Sequence, residues 1–143
     1  TTEIYTLSLH DALPIFNAKK NDVHIQFLHY DVFNLPLDFF INSFDVIVSN
    51  PPYVTESEKD LMHKNVLLHE PYSALFVPDT DALKYYKAIS NIADRLLTVN
   101  GKVWVEINER FGNETSDVFR AHFSKVELLK DFRDKDRFIK ACR

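Results

Sequence analysis

The chain has 143 residues and only two glycines, where average usage of about 7 % would give about ten, so Gly101 and Gly112 cannot build a G-x-G-x-x-G or Walker loop. Seventeen basic against 21 acidic residues give a net charge of −4, the wrong balance for a chain that neutralises phosphates, and nucleic acid is disfavoured as a partner. A 45 % hydrophobic content suits one globular domain, no apolar run approaches the roughly 18 residues of a membrane span, and the lone Cys142 excludes an intrachain disulfide and a cysteine zinc site, which fits a reducing cytoplasm.

In chain order, Val23 to Leu28 begins with alternation and runs on through Tyr30 to Asp31, which predicts a first strand ending at that carboxylate. Phe44 to Val48 is short, apolar and β-branched, the pattern of a strand buried on both faces. Residues 55–70 mix Glu, Lys and His with Leu61, Met62, Val66 and Leu67 and predict a loop with helical content. From about Asp81 to Val99 the apolar positions Ala82, Tyr86, Ile89, Ala93, Leu96 and Leu97 follow helical spacing, with Asn100-Gly101 as the stop. Lys102 to Ile107 predicts another buried strand, and Glu114 to Phe123 a second helix with Asn113 or Thr115 near its cap. Val126 to Phe132 and Phe138 to Cys142 predict two strands joined by the charged turn Arg133-Asp134-Lys135-Asp136. Alternating strands and helices imply an α/β layer with a mostly parallel sheet, and the last two strands are too close for a crossover, so they form an antiparallel hairpin. The lysines and arginines from Lys125 to Arg143 alternate with Asp131, Asp134 and Asp136 and form a solvated edge of mixed charge. His63 and His69 lack a third ligand nearby, so no metal site is expected.

The chemistry concentrates in Asn50-Pro51-Pro52-Tyr53, directly after the second predicted strand. In an open parallel sheet, ligands bind beyond the carboxyl ends of the strands. Two prolines stop the strand and donate no N–H, so their carbonyls remain stiff acceptors. Asn50 adds a side-chain acceptor, and Tyr53 a flat ring with a polar tip. The set describes a clamp for a planar, conjugated –NH2 group, whose delocalised lone pair makes it a poor nucleophile until both hydrogens are held. A strand-ending turn with a buried tyrosine is the alternative, although the tetrapeptide arises by chance in fewer than about one in a thousand such chains.

Val46-Ile47-Val48-Ser49-Asn50-Pro51-Pro52-Tyr53 resembles the amino-methylating S-adenosylmethionine-dependent methyltransferases. His69-Glu70-Pro71, Ala74-Leu75-Phe76, Tyr85-Tyr86, Val105-Glu106-Ile107-Asn108 and Asp136-Arg137-Phe138-Ile139-Lys140-Ala141 narrow the resemblance to the family that methylates a glutamine of peptide chain release factors. It runs from about residue 17 to residue 143. It implies a partial Rossmann-like class I methyltransferase fold with the first strands missing. It also implies S-adenosylmethionine as cofactor, and as partner a release factor whose Gly-Gly-Gln glutamine is methylated on its side-chain amide, in the cytoplasm. Asn50 and the Pro51 carbonyl would take the amide hydrogens as catalytic groups, with Pro52, Tyr53 and Glu70 completing the substrate wall. Asp31 would contact the adenine amine and Asn50 would also border the cofactor. On the residues alone Asp31 reads equally well as a turn-forming aspartate before Val32-Phe33-Asn34, and Glu70 as a helix-end residue. Glu106, a carboxylate in an apolar strand, needs a partner, with Arg137 or backbone donors the candidates. A methyltransferase of adenine or guanine amines, or an inactive binding module of the same fold, are the competing readings.

Residues 1–16 depart from the family pattern, with Pro14 inside an expected helix at a cost of about 3 kcal/mol. They resemble translated adapter read-through at the end of an assembled gene fragment. A non-native or divergent leader followed by the C-terminal portion of a catalytic domain, binding cofactor weakly or not at all by itself, is therefore expected.

Overall fold

The computed structural model describes residues 12–36, 41–62, 67 and 69–143. They divide into two units, one ending at Pro36 and the other beginning after it. The first unit holds one helix, α1 (Ala12–Lys20). Pro14 lies in its first turn, where the N–H groups have no intrahelical acceptor, so the expected proline penalty does not arise there. The helix closes on Asp22 in the left-handed region (φ 52°), with Val23 N–H donating to the Ala18 carbonyl at 3.1 Å.

Two expectations fail in this unit. Residues 23–30 carry no strand ladder. Alternation describes which side chains face which way, but a strand exists only through hydrogen bonds to a neighbour, and no described segment pairs with this one. Asp31 consequently ends no strand. It nucleates a turn, with Oδ1 accepting from Phe33 N–H at 2.9 Å and Oδ2 from the Asn34 amide at 2.7 Å, and those bonds hold its carboxyl below the usual aspartate value.

The second unit is a four-stranded mixed sheet with helices. Its strands are β1 (Phe44–Ser49), β4 (Leu97–Glu106), β5 (Lys125–Lys130) and β6 (Asp136–Cys142), in the order β1-β4-β6-β5. β1 runs parallel to β4, and β6 lies antiparallel to both β4 and β5, as the short charged turn requires. A separate parallel pair joins β2 (Val54–Thr55) to β3 (Phe76–Val77). The remaining helices are α2 (Tyr72–Leu75), α3 (Lys84–Leu96) and α4 (Gly112–Arg120). Between Thr55 and Glu70 a 3-10 helix spans Glu56–Leu61, the helical content expected there, whereas residues 63–66 and 68 lie outside the described set.

The core forms where α3 and α4 pack together and α4 covers the sheet. Tyr86, Ile89, Ala93 and Leu96 make the apolar stripe of α3, Phe119 and Phe123 come from α4 and its end, and Val103, Val105, Ile139 and Ala141 form the inner face of β4 and β6. β1 is not buried on both faces: Val46 is 53 % and Val48 75 % exposed. It is an edge strand of this sheet, and its apolar run reports β-propensity rather than burial.

Helix α3 also stops three residues before Val99. The carbonyls of Arg95 and Leu96 accept from Asn42 and Ser43 N–H at 3.2 and 2.9 Å, so the segment entering β1 caps the helix. Leu97 is already extended (ψ 140°) and pairs with Phe44. Val46 then pairs with Lys102, which leaves Asp45 alone facing Thr98 through Gly101 in a bulge tied by a 3.0 Å bond from the Thr98 hydroxyl to Asp45. Gly101 is therefore no helix stop. A Cβ there would stand 2.8 Å from Leu97 Cβ and 2.9 Å from the Thr98 carbonyl oxygen, closer than atoms can approach. Helix α4 likewise starts at Gly112, without a side-chain cap from Asn113 or Thr115. The side chain that caps is Asn108, accepting from Arg110 N–H one turn earlier.

Candidate active site

The carboxyl ends of β1 and β4 lie side by side, with Ser49 level with Val105. Asn50 therefore leaves β1 beside Glu106, the last residue of β4. Asn50 is exposed, Pro51 buried, and Pro52 and Tyr53 half-buried. Among the described residues, neither the Asn50 amide nor the Pro51 carbonyl takes part in a hydrogen bond. The two acceptors singled out for an –NH2 group are thus uncommitted.

Tyr53 is the opposite case. Its hydroxyl donates to Glu106 Oε1 at 2.7 Å, and its carbonyl accepts from the Asn108 side-chain amide at 3.1 Å. Burial first, then the Glu106 carboxylate, pushes the phenol up to about 12, while Arg137 nearby opposes the rise. Glu106 thus finds its hydrogen-bond partner in Tyr53, while Arg137, one of the candidates, lies close enough to feel the Glu106 charge but makes its ion pair with Asp131 at 3.4 Å.

Asn108 is itself held in place. Its amide also donates to Glu58 Oε2 at 2.8 Å, and its backbone N–H donates to the Tyr86 hydroxyl at 3.3 Å. The same Glu58 oxygen accepts from Thr55 N–H at 3.0 Å and from the Thr55 hydroxyl at 2.7 Å, while Arg110 approaches Oε1 at 3.3 Å. Burial works against the charge on Glu58, but these donors outweigh it and hold the carboxyl below its ordinary value. Burial also raises the Tyr86 hydroxyl well above its ordinary value.

The outer edge is tied down through Asp79, which accepts from the Ser57 hydroxyl at 2.6 Å, and through Tyr72, whose hydroxyl donates to Glu56 at 3.0 Å. Tyr72 stacks on Phe76 at 4.6 Å between ring centroids. Glu70 stands exposed in the bend before α2, connected to the Tyr53 loop by way of α2 and the β2–β3 ladder rather than through its own side chain. Asp31 belongs to the first unit. Glu58, Asn108, Arg110 and Tyr86 belong to the network around Tyr53, which the motif did not include. The Thr55-x-x-Glu58 spacing, a capping-box signature, is the signal that points to the first of them.

Comparison with known proteins places this geometry. The chain is 43 % identical over 125 residues to the release factor glutamine methyltransferase of Flavobacterium psychrophilum, covering 87 % of this chain and 43 % of that protein. It is 41 % identical over 128 residues to the release factor glutamine methyltransferase of Bacteroides thetaiotaomicron, covering 89 % of this chain and 46 % of that protein. The chain thus spans less than half the length of these relatives. The antibiotic-resistance methyltransferase Kmr superposes with a TM-score of 0.53 at 11 % identity, over 99 % of this chain and 72 % of that one, a likeness of fold. The fold is α/β and Rossmann-like, part of a methyltransferase sheet that ends in antiparallel strands. The model of the Eco57I restriction-modification methylase family matches residues 6–138, and the chain belongs to that family.

Proposed function

We propose that this chain carries the acceptor-amide half of an S-adenosylmethionine-dependent protein-glutamine N-methyltransferase, whose substrate is the Gly-Gly-Gln glutamine of a peptide chain release factor. The observation that carries this reading is the pair of uncommitted acceptors, Asn50 and the Pro51 carbonyl, beside a tyrosine held through its hydroxyl and its backbone carbonyl. Two N–H bonds of a primary amide match two free acceptors, and the Tyr53 ring offers a plane for the amide to lie on. Holding both hydrogens orients the nitrogen lone pair and favours the positive charge that develops on it. The 41–43 % identity to release factor glutamine methyltransferases supports glutamine as that amide.

S-adenosylmethionine supplies the electrophilic methyl group when bound. The described residues fit the acceptor amide but do not complete a seat for that cofactor. Gly101 and Gly112 are packed against Leu97 and Asp136, and neither has positive φ. The adenine contact proposed for Asp31 rests on the second lone pair of each oxygen, since both oxygens already accept within its turn. Asn50 would border cofactor and substrate together, and Pro52 and Glu70 would line the substrate wall. A cytoplasmic setting agrees with the single cysteine.

The family description points to a second reading, methylation of a base amine in DNA. The same clamp suits an adenine amine, although the net charge of −4 does not favour a polyanion. Incubation with radiolabelled S-adenosylmethionine, release factor and duplex DNA separates the two. The test uses this chain and a chimera in which residues 17–143 replace the matching part of the F. psychrophilum relative. Label on wild-type release factor, absent when its loop glutamine is replaced and lost with Asn50→Ala, is the expected result. Label on DNA alone refutes the glutamine reading.

A further inference from the structure

We infer that Glu106 is a positioning residue for the acceptor amide, acting through Tyr53 from the neighbouring strand; this rests on the glutamine-amide reading above. The parallel register sets Ser49 level with Val105, which brings Glu106 alongside the first residue of the Asn50-Pro51-Pro52-Tyr53 loop. From there its carboxylate accepts the Tyr53 hydroxyl at 2.7 Å, across 53 residues of sequence. Two residues further on, Asn108 donates to the Tyr53 carbonyl at 3.1 Å, so one strand end grips the tyrosine by both its side chain and its backbone. Glu58 orients that Asn108 amide.

A tyrosine held only by ring packing can still tilt and flip. One whose hydroxyl is pinned to a carboxylate on a central strand presents a fixed plane, and small errors in that plane misdirect an amide lone pair. Among the described residues Glu106 makes no ion pair: Arg137, although near enough to feel its charge, pairs with Asp131 at 3.4 Å. The hydrogen bond of the carboxylate in the apolar strand therefore goes to the loop. β4 contributes no atom that touches the amide, yet it sets the orientation of the group that does.

The test uses the chimera described above, in which residues 17–143 replace the matching part of the F. psychrophilum relative, with Tyr53→Phe, Glu106→Ala, Glu106→Gln and the Tyr53→Phe/Glu106→Ala double variant. Methyl transfer to release factor is expected to fall about tenfold in kcat for Tyr53→Phe and Glu106→Ala, with KM within about twofold, because the substrate still binds but lies badly oriented. The double variant should be no slower than the worse single, since both remove the same bond. Glu106→Gln retains an acceptor oxygen and should recover to within about threefold of the parent. Additive losses, an effect confined to KM, or Glu106→Gln as slow as Glu106→Ala would each overturn the inference.

Urea unfolding of the same proteins gives a reading independent of turnover. Non-additive destabilisation of Tyr53→Phe and Glu106→Ala supports the link, and strict additivity refutes it. A parent chimera that transfers no methyl group to release factor, yet shows that coupling, counts against the proposed substrate and for the Tyr53–Glu106 anchor.

Discussion

Replacing Glu58 by alanine removes the acceptor for three donors at once: the Thr55 N–H, the Thr55 hydroxyl and the Asn108 amide. Two of the residues left behind are well buried, Thr55 at 2 % exposure and Asn108 at 7 %, so water cannot freely replace the carboxylate. An unsatisfied buried polar group costs about 1–3 kcal/mol. The Thr55 hydroxyl keeps Ser57 as a neighbour at 3.2 Å, and Asn108 keeps the Tyr53 carbonyl at 3.1 Å, so the three losses do not sum in full. A total of about 2–4 kcal/mol is expected, measured as the shift in the urea midpoint at constant m-value. The pH dependence sharpens the test. A carboxyl lowered on folding contributes stability that is present above its unfolded value, about 4.5, and lost as pH falls through the folded value. The gap between parent and Glu58→Ala should therefore narrow as pH is taken from 7 to 3. A deficit under about 1 kcal/mol at pH 7, or one that stays constant down to pH 3, would refute the assignment of Glu58 as the ionised hub of this network.

The other expectations concern single groups. Gly101→Ala should destabilise by about 1–3 kcal/mol in urea unfolding, because the added Cβ meets the Thr98 carbonyl oxygen at 2.9 Å and backbone cannot rotate away; a neutral result would mean the bulge is looser than its contacts imply. Thr115 is fully buried with no partner for its hydroxyl among the described residues, so Thr115→Val should raise stability by about 1 kcal/mol, and a loss in calorimetry would show the hydroxyl is satisfied after all. Tyr53, raised to about 12, contributes stability that is complete below pH 10 and lost between about 10 and 12. Two units amount to roughly 2.7 kcal/mol, reduced to about 1–2 for a half-buried ring, and alkaline unfolding of Tyr53→Phe should lack that component.

The second unit was largely legible because its elements are defined by their own side chains. α3 declares itself through Tyr86, Ile89, Ala93 and Leu96, and the final hairpin through two apolar runs separated by Arg133-Asp134-Lys135-Asp136. What escaped reading depends on a partner remote in sequence. Asn100-Gly101 has the composition of a helix stop, yet the helix ends earlier because Asn42 and Ser43 supply its last donors. Residues 23–30 have the alternation of a strand, yet no described neighbour completes the ladder. In each case the local pattern names what the residues tolerate, and long-range hydrogen bonds decide what they do.

The site shows the same division. The roles proposed for Asn50 and Pro51 rest on a strand end, a stiff proline and a free acceptor, which are all local properties. Glu106 was visible only as an anomaly, a carboxylate in an apolar strand that had to have a partner. Arg137 was the obvious candidate on charge, and it does lie close enough to act on both Glu106 and Tyr53, but its ion pair is with Asp131, while the parallel β1–β4 register puts the Tyr53 loop beside Glu106 and gives that carboxylate its hydrogen bond. The same register explains why Asn108 matters, since it follows Glu106 by two residues and reaches the same tyrosine. Buried or misplaced polarity in a strand therefore marks the place where a neighbouring loop is held, and the strand pairing, not the sign of the charge, identifies which loop.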